Sequence, residues 1–387
     1  MIDKKYDIGI IGNICSVDLN TAESLAHLGL KTIVFDTTNA TKKNQVIDNF
    51  HKKEDILYDV YRPTGSLDFF RMACLCHVIF SYTGAILGPL KKIYPLKFLP
   101  QFPPIINIST GSDIAEFLDE KSIKSFLFRL HLNTSPLNWM VEYPHALKNI
   151  QKYKIKNVHF MPFPAFRLPE NKLPLPQNQD KIIFLHPSHL DWQASDNTKG
   201  RTSTKGNDRF LKAFIRAVKN GLRAECVIID RGSDRLLARE LIEKSGVKDH
   251  FIWKKDLTRD DFFIEIKKCH VVVDQFDCGG LGGIAVEAMA SGRPVMTYIE
   301  TNCSRLQYGL DTPPIINCWS EDEIYTQIMN CVSLPFVKDK AEESYLWVNR
   351  QHRVDIVFEK VLFYVSLLTG KTIKDYGWLK TAYSQRT

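Results

Sequence analysis

The chain has 387 residues, 44% of them hydrophobic and 25% charged, which is enough apolar material for two ordinary cores and sets the expectation of two domains. Its formal net charge of +7 favours anionic partners. No zinc-finger spacing, RNA-binding signature or arginine-rich tail accompanies that charge, so nucleic acid is excluded as a partner.

From Tyr6 the order is strand (Asp7 to Ile11), polar loop, helix (about Asn20 to Leu28), Gly29 and strand (Thr32 to Phe35), a β-α-β unit of the kind that builds parallel sheets. The opening MIDKKYDIGIIGN carries Asp3 and Asp7 and reaches its apolar strand too quickly for a secretory signal. Nine cysteines with one tight pair, Cys74-x-Cys76, make no disulfide or zinc framework, and a reducing cytoplasm is the expected compartment. Gly9 and Gly12 do not complete G-x-G-x-x-G, and Asp36 reads as a turn residue. Met72 to Leu90, the longest run free of charge, holds His77, Gly84 and Pro89 and reads as a buried strand plus loop rather than a membrane span.

Further strands are expected at Val78 to Phe80, Ile105 to Ile108 and Val158 to Met161. Between them, Gly88 to Phe102 interleaves Lys91, Lys92 and Lys97 with Ile93, Tyr94, Leu96, Phe98, Leu99 and Phe102. That composition suits peripheral contact with an anionic membrane leaflet and equally a partly buried loop. Prolines 162, 164, 169, 174 and 176 can continue neither helix nor central strand, which places an interdomain linker at 162–180.

A second strand series follows at Lys181 to Leu185, Cys226 to Ile229, Phe251 to Trp253, Val271 to Val273 and Pro294 to Tyr298. The stretch VVVDQFDCGGLGGIAVEAMASGRPV, Val271 to Val295, joins a buried strand to a helix through glycines 279, 280, 282 and 283. Such a turn leaves backbone N–H groups at the helix N-terminus for a diphosphate, and Glu287 one turn inside can accept from ribose hydroxyls. Four glycines alone equally make a flexible connection. His186 and His189 make a His-x-x-His without a placed third ligand, and no metal is expected.

Gly282, Glu287, Ala288, Met289, Ala290, Gly292, Pro294 and Val295 resemble the E-x7-E segment of family 4 and related retaining glycosyltransferases. In that resemblance the first Glu, which contacts the transferred sugar, falls at Gly279, so Asp274 and Gln275 become the candidates for the sugar. Lys205-Gly206-Asn207-Asp208 resembles the family's KG motif, whose lysine binds the donor diphosphate. His189 stands where the family supplies an arginine, Arg231 is a second phosphate candidate, and Gly280, Gly282 and Gly283 supply the loop. Trp253, Lys254 and Lys255 would flank the nucleobase. Thr110-Gly111-Ser112-Asp113 resembles the acceptor-side H-G-S-D, with Thr110 in place of His, and Asn13 follows the first strand.

The resemblance implies an α/β, GT-B architecture: two Rossmann-like doubly wound parallel-sheet domains facing across a cleft, at 1–170 and 181–343, with helices of 344–387 crossing back to the first. It also implies transfer of a sugar from a nucleoside diphosphate sugar, UDP favoured, to a glycan or lipid-linked acceptor. The expected course is retention by front-side displacement, with Lys205 and Glu287 as the catalytic residues and neither metal nor cofactor. Two rivals are a GT-B sugar-nucleotide epimerase, which needs no acceptor, and a nucleotide-sugar-binding scaffold without turnover.

Overall fold

The computed structural model describes residues 3–12, 17–37, 56–109, 111–115, 117–165, 169, 171–177, 180–193, 204–255 and 257–370. The chain divides into two units. The first takes in Met1–Val141, Ala146–Phe166 and Val354–Thr387, and the second Glu142–His145 and Arg167–Arg353.

In the first unit seven strands, β1 (Tyr6–Ile11), β2 (Thr32–Phe35), β3 (Asp59–Tyr61), β4 (Cys76–Tyr82), β5 (Ile105–Ile108), β6 (Leu137–Met140) and β7 (Val158–Phe160), form one sheet. Its order is β3-β2-β1-β4-β5-β6-β7, and every pairing is parallel. Strands buried on both faces read as near-continuous apolar runs, as YDIGII and CHVIFSY do. Ile8, Ile10, Val78, Phe80, Ile106 and Ile108 serve one face, and Ile33, Phe35, Cys76, Ile79 and Ile105 the other.

The first of these faces is closed by the last described helix, Val354–Thr369, through Val357, Phe358, Val361, Leu362 and Val365. Their spacing of three and four places them on one helical stripe. Ser344 to Gln351, expected in the crossover, belongs instead to the 18-residue helix Leu334–Gln351 of the second unit. Ser333 caps that helix on the Phe336 N–H, and Val337, Ala341, Ser344 and Val348 continue its buried stripe to the end, so the pattern gives no break at 344.

The second unit holds β8 (Ile182–His186), β9 (Ala224–Ile229), β10 (Phe251–Lys254), β11 (Val271–Val273), β12 (Val295–Thr297) and β13 (Ile316–Asn317). The order is β10-β9-β8-β11-β12-β13, again parallel throughout. Its core gathers Phe184, Phe210, Phe214, Phe276, Val271, Val273 and Met296. In both sheets the order reverses beside the first strand of the unit, between β1 and β4 and between β8 and β11. Loops at the carboxyl ends of such neighbours diverge and leave a crevice for a ligand.

Among the basic and apolar residues of 88–102, Lys97 follows the partly buried alternative. Its ammonium donates to Thr134 Oγ1 at 2.8 Å and lies 3.0 Å from His131 Nδ1, and burial pushes its pKa down to about 8. Tyr94 and Phe102 are buried, whereas Lys91, Lys92, Phe98 and Leu99 remain exposed. Half-buried Lys97 therefore pins the 3-10 turn Tyr94–Phe98 to the helix Ile123–Asn133.

Candidate functional site

The crevice beside β8 and β11 is built from three segments of the second unit: the loop after β8, the turn before the helix Asn207–Lys219, and the loop from Asp274 to Gly282. Lys205 ties them together through its backbone. Its N–H donates to the Asp191 carbonyl at 2.5 Å, and its carbonyl accepts from the Phe276 N–H at 2.7 Å. The ammonium donates to Gln275 Oε1 at 2.5 Å and lies 3.8 Å from Cys278 Sγ. Its hydrogen bond thus goes to a neutral amide rather than a carboxylate.

Gly206 follows in the left-handed region, φ 62°, and caps the helix. A Cβ there would meet the Asp277 carboxylate at 2.9 Å, and that carboxylate is bound by Thr204 Oγ1 and by Arg209. Asn207 Nδ2 lies 3.0 Å from His186 Nε2 in the interior. Burial pushes the His186 imidazole down to about 4, so His186 is neutral and structural. Among the described residues no cluster of three metal-ligating side chains gathers.

Asp274 follows β11 directly and is buried. One carboxylate oxygen accepts from Ser188 Oγ, which links the loops after β8 and β11, while Oδ2 has no hydrogen-bond partner. Burial raises its pKa, with the Lys205 charge and the Ser188 bond acting in the opposite direction. Gln275 is committed at both ends, since its Oε1 accepts from Lys205 and its Nε2 donates to the Gly280 carbonyl at 3.3 Å. A Cβ on Gly282 would fall 2.7 Å from Asp274 Oδ2, so the loop passes the carboxylate as closely as backbone allows. Gly282 is the N-cap of the helix Gly283–Ala290 and provides no side-chain cap, which leaves the first-turn N–H groups without partners inside the helix. Glu287 lies one turn in and is half-buried.

Gly279 has φ 71°, and a Cβ there would crowd Pro144 at 3.0 Å. A glutamate at this point would strain the backbone and press on the proline ring, so the position that the E-x7-E resemblance gives its first Glu suits glycine here.

The remaining candidates are spread more widely. Arg231, after β9, donates from Nη2 to the Pro187 carbonyl at 3.1 Å, and its own carbonyl accepts from the Leu190 N–H, so it flanks the loop that bears half-exposed His189. Trp253 stands in the edge strand β10 as expected, and the strand runs one residue further, to Lys254. Trp253 packs against the core and under the Arg239 guanidinium, 4.2 Å from its ring centre, and Lys254 pairs with Glu265 at 3.6 Å. Lys255 is exposed. In the first unit, Asp113 Oδ1 accepts from Ser109 Oγ at 2.6 Å and from the Gly111 N–H at 3.1 Å, and burial raises its pKa. Asn13 and Thr110 lie outside the described residues.

Sequence reasoning missed Ser188, Asp277 and Arg209, which brace the loops, and Glu142, which reaches the glycine loop from the Val141 connection. Asp277 was visible inside the DQFDCGG run, but Glu142 stands more than 130 residues from its neighbours, and no spacing signals it.

Residues 199–304 match the profile of glycosyl transferases group 1. Among solved structures the chain is similar to Anabaena Alr3699/HepE in complex with UDP-glucose, at 12% identity and TM-score 0.64, over 94% of this chain and 100% of that one. Sucrose-phosphate synthase from Thermosynechococcus elongatus matches at 11% and 0.62, over 95% and 100%. WaaG, a glycosyltransferase involved in lipopolysaccharide biosynthesis, matches at 12% and 0.56, over 94% and 100%. No curated protein sequence matches the chain. The structural likeness establishes the GT-B fold, and the segment that matches the glycosyl transferases group 1 profile contains Lys205 and the whole glycine loop.

Proposed function

We propose that the protein moves a sugar from a nucleoside diphosphate sugar, with uridine as the base, to a glycan or lipid-linked acceptor in surface polysaccharide or glycoconjugate synthesis, with retention. The observation that carries this reading is the convergence of the Lys205 ammonium and the uncapped helix N-terminus at Gly282 on one crevice. A departing diphosphate gains negative charge as the glycosidic bond breaks. A preorganised ammonium and backbone N–H groups answer that charge without a metal ion.

Each residue then has a task. Lys205 and the N–H groups of Gly283 and its neighbours hold the diphosphate, with Arg231 and His189 on the adjoining loops. Glu287 accepts from the ribose hydroxyls. In a front-side displacement the leaving phosphate oxygen takes the acceptor proton, so no protein nucleophile is required. The UDP-glucose held by Alr3699/HepE and the lipopolysaccharide role of WaaG support the choice of donor and pathway. Docking on an anionic leaflet, where a lipid-linked acceptor resides, completes the reading.

The test is a panel of UDP-, GDP- and dTDP-sugars incubated with and without lipid-linked and glycan acceptors. Release of the nucleoside diphosphate only with acceptor, from a UDP-sugar and with the anomeric configuration kept in the product, is the expected result. Donor interconversion without acceptor would replace the reading with the epimerase, and binding without any product would replace it with the scaffold.

A further inference from the structure

Glu142 is the first residue of the four-residue segment Glu142–His145 that belongs to the second unit while the chain on both sides belongs to the first. It is only 2% exposed, and the Leu281 N–H at the centre of the glycine loop lies close enough to its carboxylate to favour the charged form. The same segment forms the wall behind that loop. A Cβ on Gly280 would meet the Tyr143 ring at 2.6 Å and the Glu142 carbonyl at 2.8 Å, just as one on Gly279 would meet Pro144.

The second carboxylate oxygen of Glu142, Oε1, is buried without a hydrogen-bond partner. Asp274 Oδ2 is in the same condition on the other side of the loop, at Gly282. Two buried carboxylates, each with a buried oxygen left open, therefore bracket three consecutive residues, Gly280 to Gly282. Such oxygens are costly to bury, and native interiors rarely leave them unmatched unless a ligand completes them. The complementary ligand is rich in hydroxyl donors and lies next to the diphosphate, as the sugar of a nucleoside diphosphate sugar does.

We propose that Glu142 is a specificity-determining residue for the transferred sugar, its open oxygen accepting a sugar hydroxyl from behind the glycine loop while Asp274 accepts another from the β11 side. This inference rests on the donor reading above. It relocates to Glu142 the acidic contact that the loop cannot provide at Gly279. Burial pushes the Glu142 carboxyl up to about 8, which fits a group whose charged form waits for hydrogen-bond donors.

The experiment compares binding of UDP-glucose and of UDP alone to the full-length wild type, E142Q and E142A by calorimetry, with thermal melting as the check on folding. UDP carries the diphosphate but no sugar, so loss confined to UDP-glucose isolates the sugar contact. A drop of tenfold or more for UDP-glucose, with UDP held within twofold, is expected in E142Q, which keeps the side-chain shape, and in E142A. A parallel loss of both ligands would reduce Glu142 to a scaffold for the loop, and unchanged binding of both would remove its role, so either result overturns the inference. A wild type that binds neither ligand would instead overturn the uridine donor reading, and this inference with it.

Discussion

Lys205 is positioned from both sides, since backbone hydrogen bonds join it to Asp191 and to Phe276 and fix the origin of a long, rotamer-rich side chain. The Gln275 amide, with Cys278 Sγ at 3.8 Å, holds the ammonium in place. Lys205→Ala should therefore cost on the order of 3 kcal/mol in transition-state stabilisation, about a hundredfold in kcat, as loss of one charge-stabilising donor commonly does. Steady-state kinetics with the active donor measures it, and a change below threefold would remove Lys205 from the catalytic set. His186, two strand-end residues from Ser188, shows the contrast: it sits in the same loop region yet is buried against Asn207 and Phe210, and it contributes shape rather than charge.

At the scale of elements, the helix Val354–Thr369 is the clearest case of a local pattern with a distant consequence. Its apolar stripe is legible in the sequence, but what the stripe covers is a face of the first sheet, whose strands begin some 350 residues earlier. Phe358 packs edge-on against Trp139 of β6, with ring centres 6.5 Å apart. Phe358→Ala should destabilise the first unit by about 3–5 kcal/mol, the usual cost of emptying a fully buried aromatic site. Denaturant unfolding followed through tryptophan fluorescence would show it, and a loss under 1 kcal/mol would mean the helix is only loosely attached. The glycine loop is the converse case. Its composition announced a tight strand-to-helix turn, whereas the reason for Gly279, Gly280 and Gly282 became evident only from Pro144, Tyr143 and Asp274, none of which is a neighbour in the helix that follows.

For the whole molecule, the +7 charge acquires a location when the exposed apolar residues of the first unit are considered. Ile123 and Phe126 are 80% and 59% exposed, and with Leu130 they form one stripe along the helix Ile123–Asn133. Lys97 fastens the turn bearing exposed Phe98 to Thr134 at the end of that helix. Lys91, Lys92, Lys121 and Lys124 are exposed close in sequence to these residues, with Asp119 and Glu120 the acidic exceptions. Apolar residues flanked by lysines suit shallow insertion into an anionic leaflet, each lysine adding about 1 kcal/mol near such a surface. No helix among the described residues is long and apolar enough to cross a membrane. The protein should co-sediment with vesicles containing phosphatidylglycerol at low salt and release as salt rises, and the double reversal K91E/K92E together with F126S should abolish the binding. Equal recovery with neutral vesicles, or an unchanged triple variant, would refute it.

The sequence by itself determined the class of this protein. Runs of β-branched residues between helical segments force parallel sheets, the prolines from 162 to 176 interrupt them once, and Lys205-Gly206 together with the loop from Gly279 to Glu287 indicates phosphate chemistry, because these features depend on neighbours along the chain. The assignment of Ser344–Gln351 to the second unit, the attachment of Lys97 to Thr134, the edge position of the strand that holds Trp253 and the presence of Glu142 behind the glycine loop were decided by tertiary structure alone. Each depends on which distant segment lies against it, and burial and hydrogen-bond satisfaction are properties of that packing rather than of local residue order.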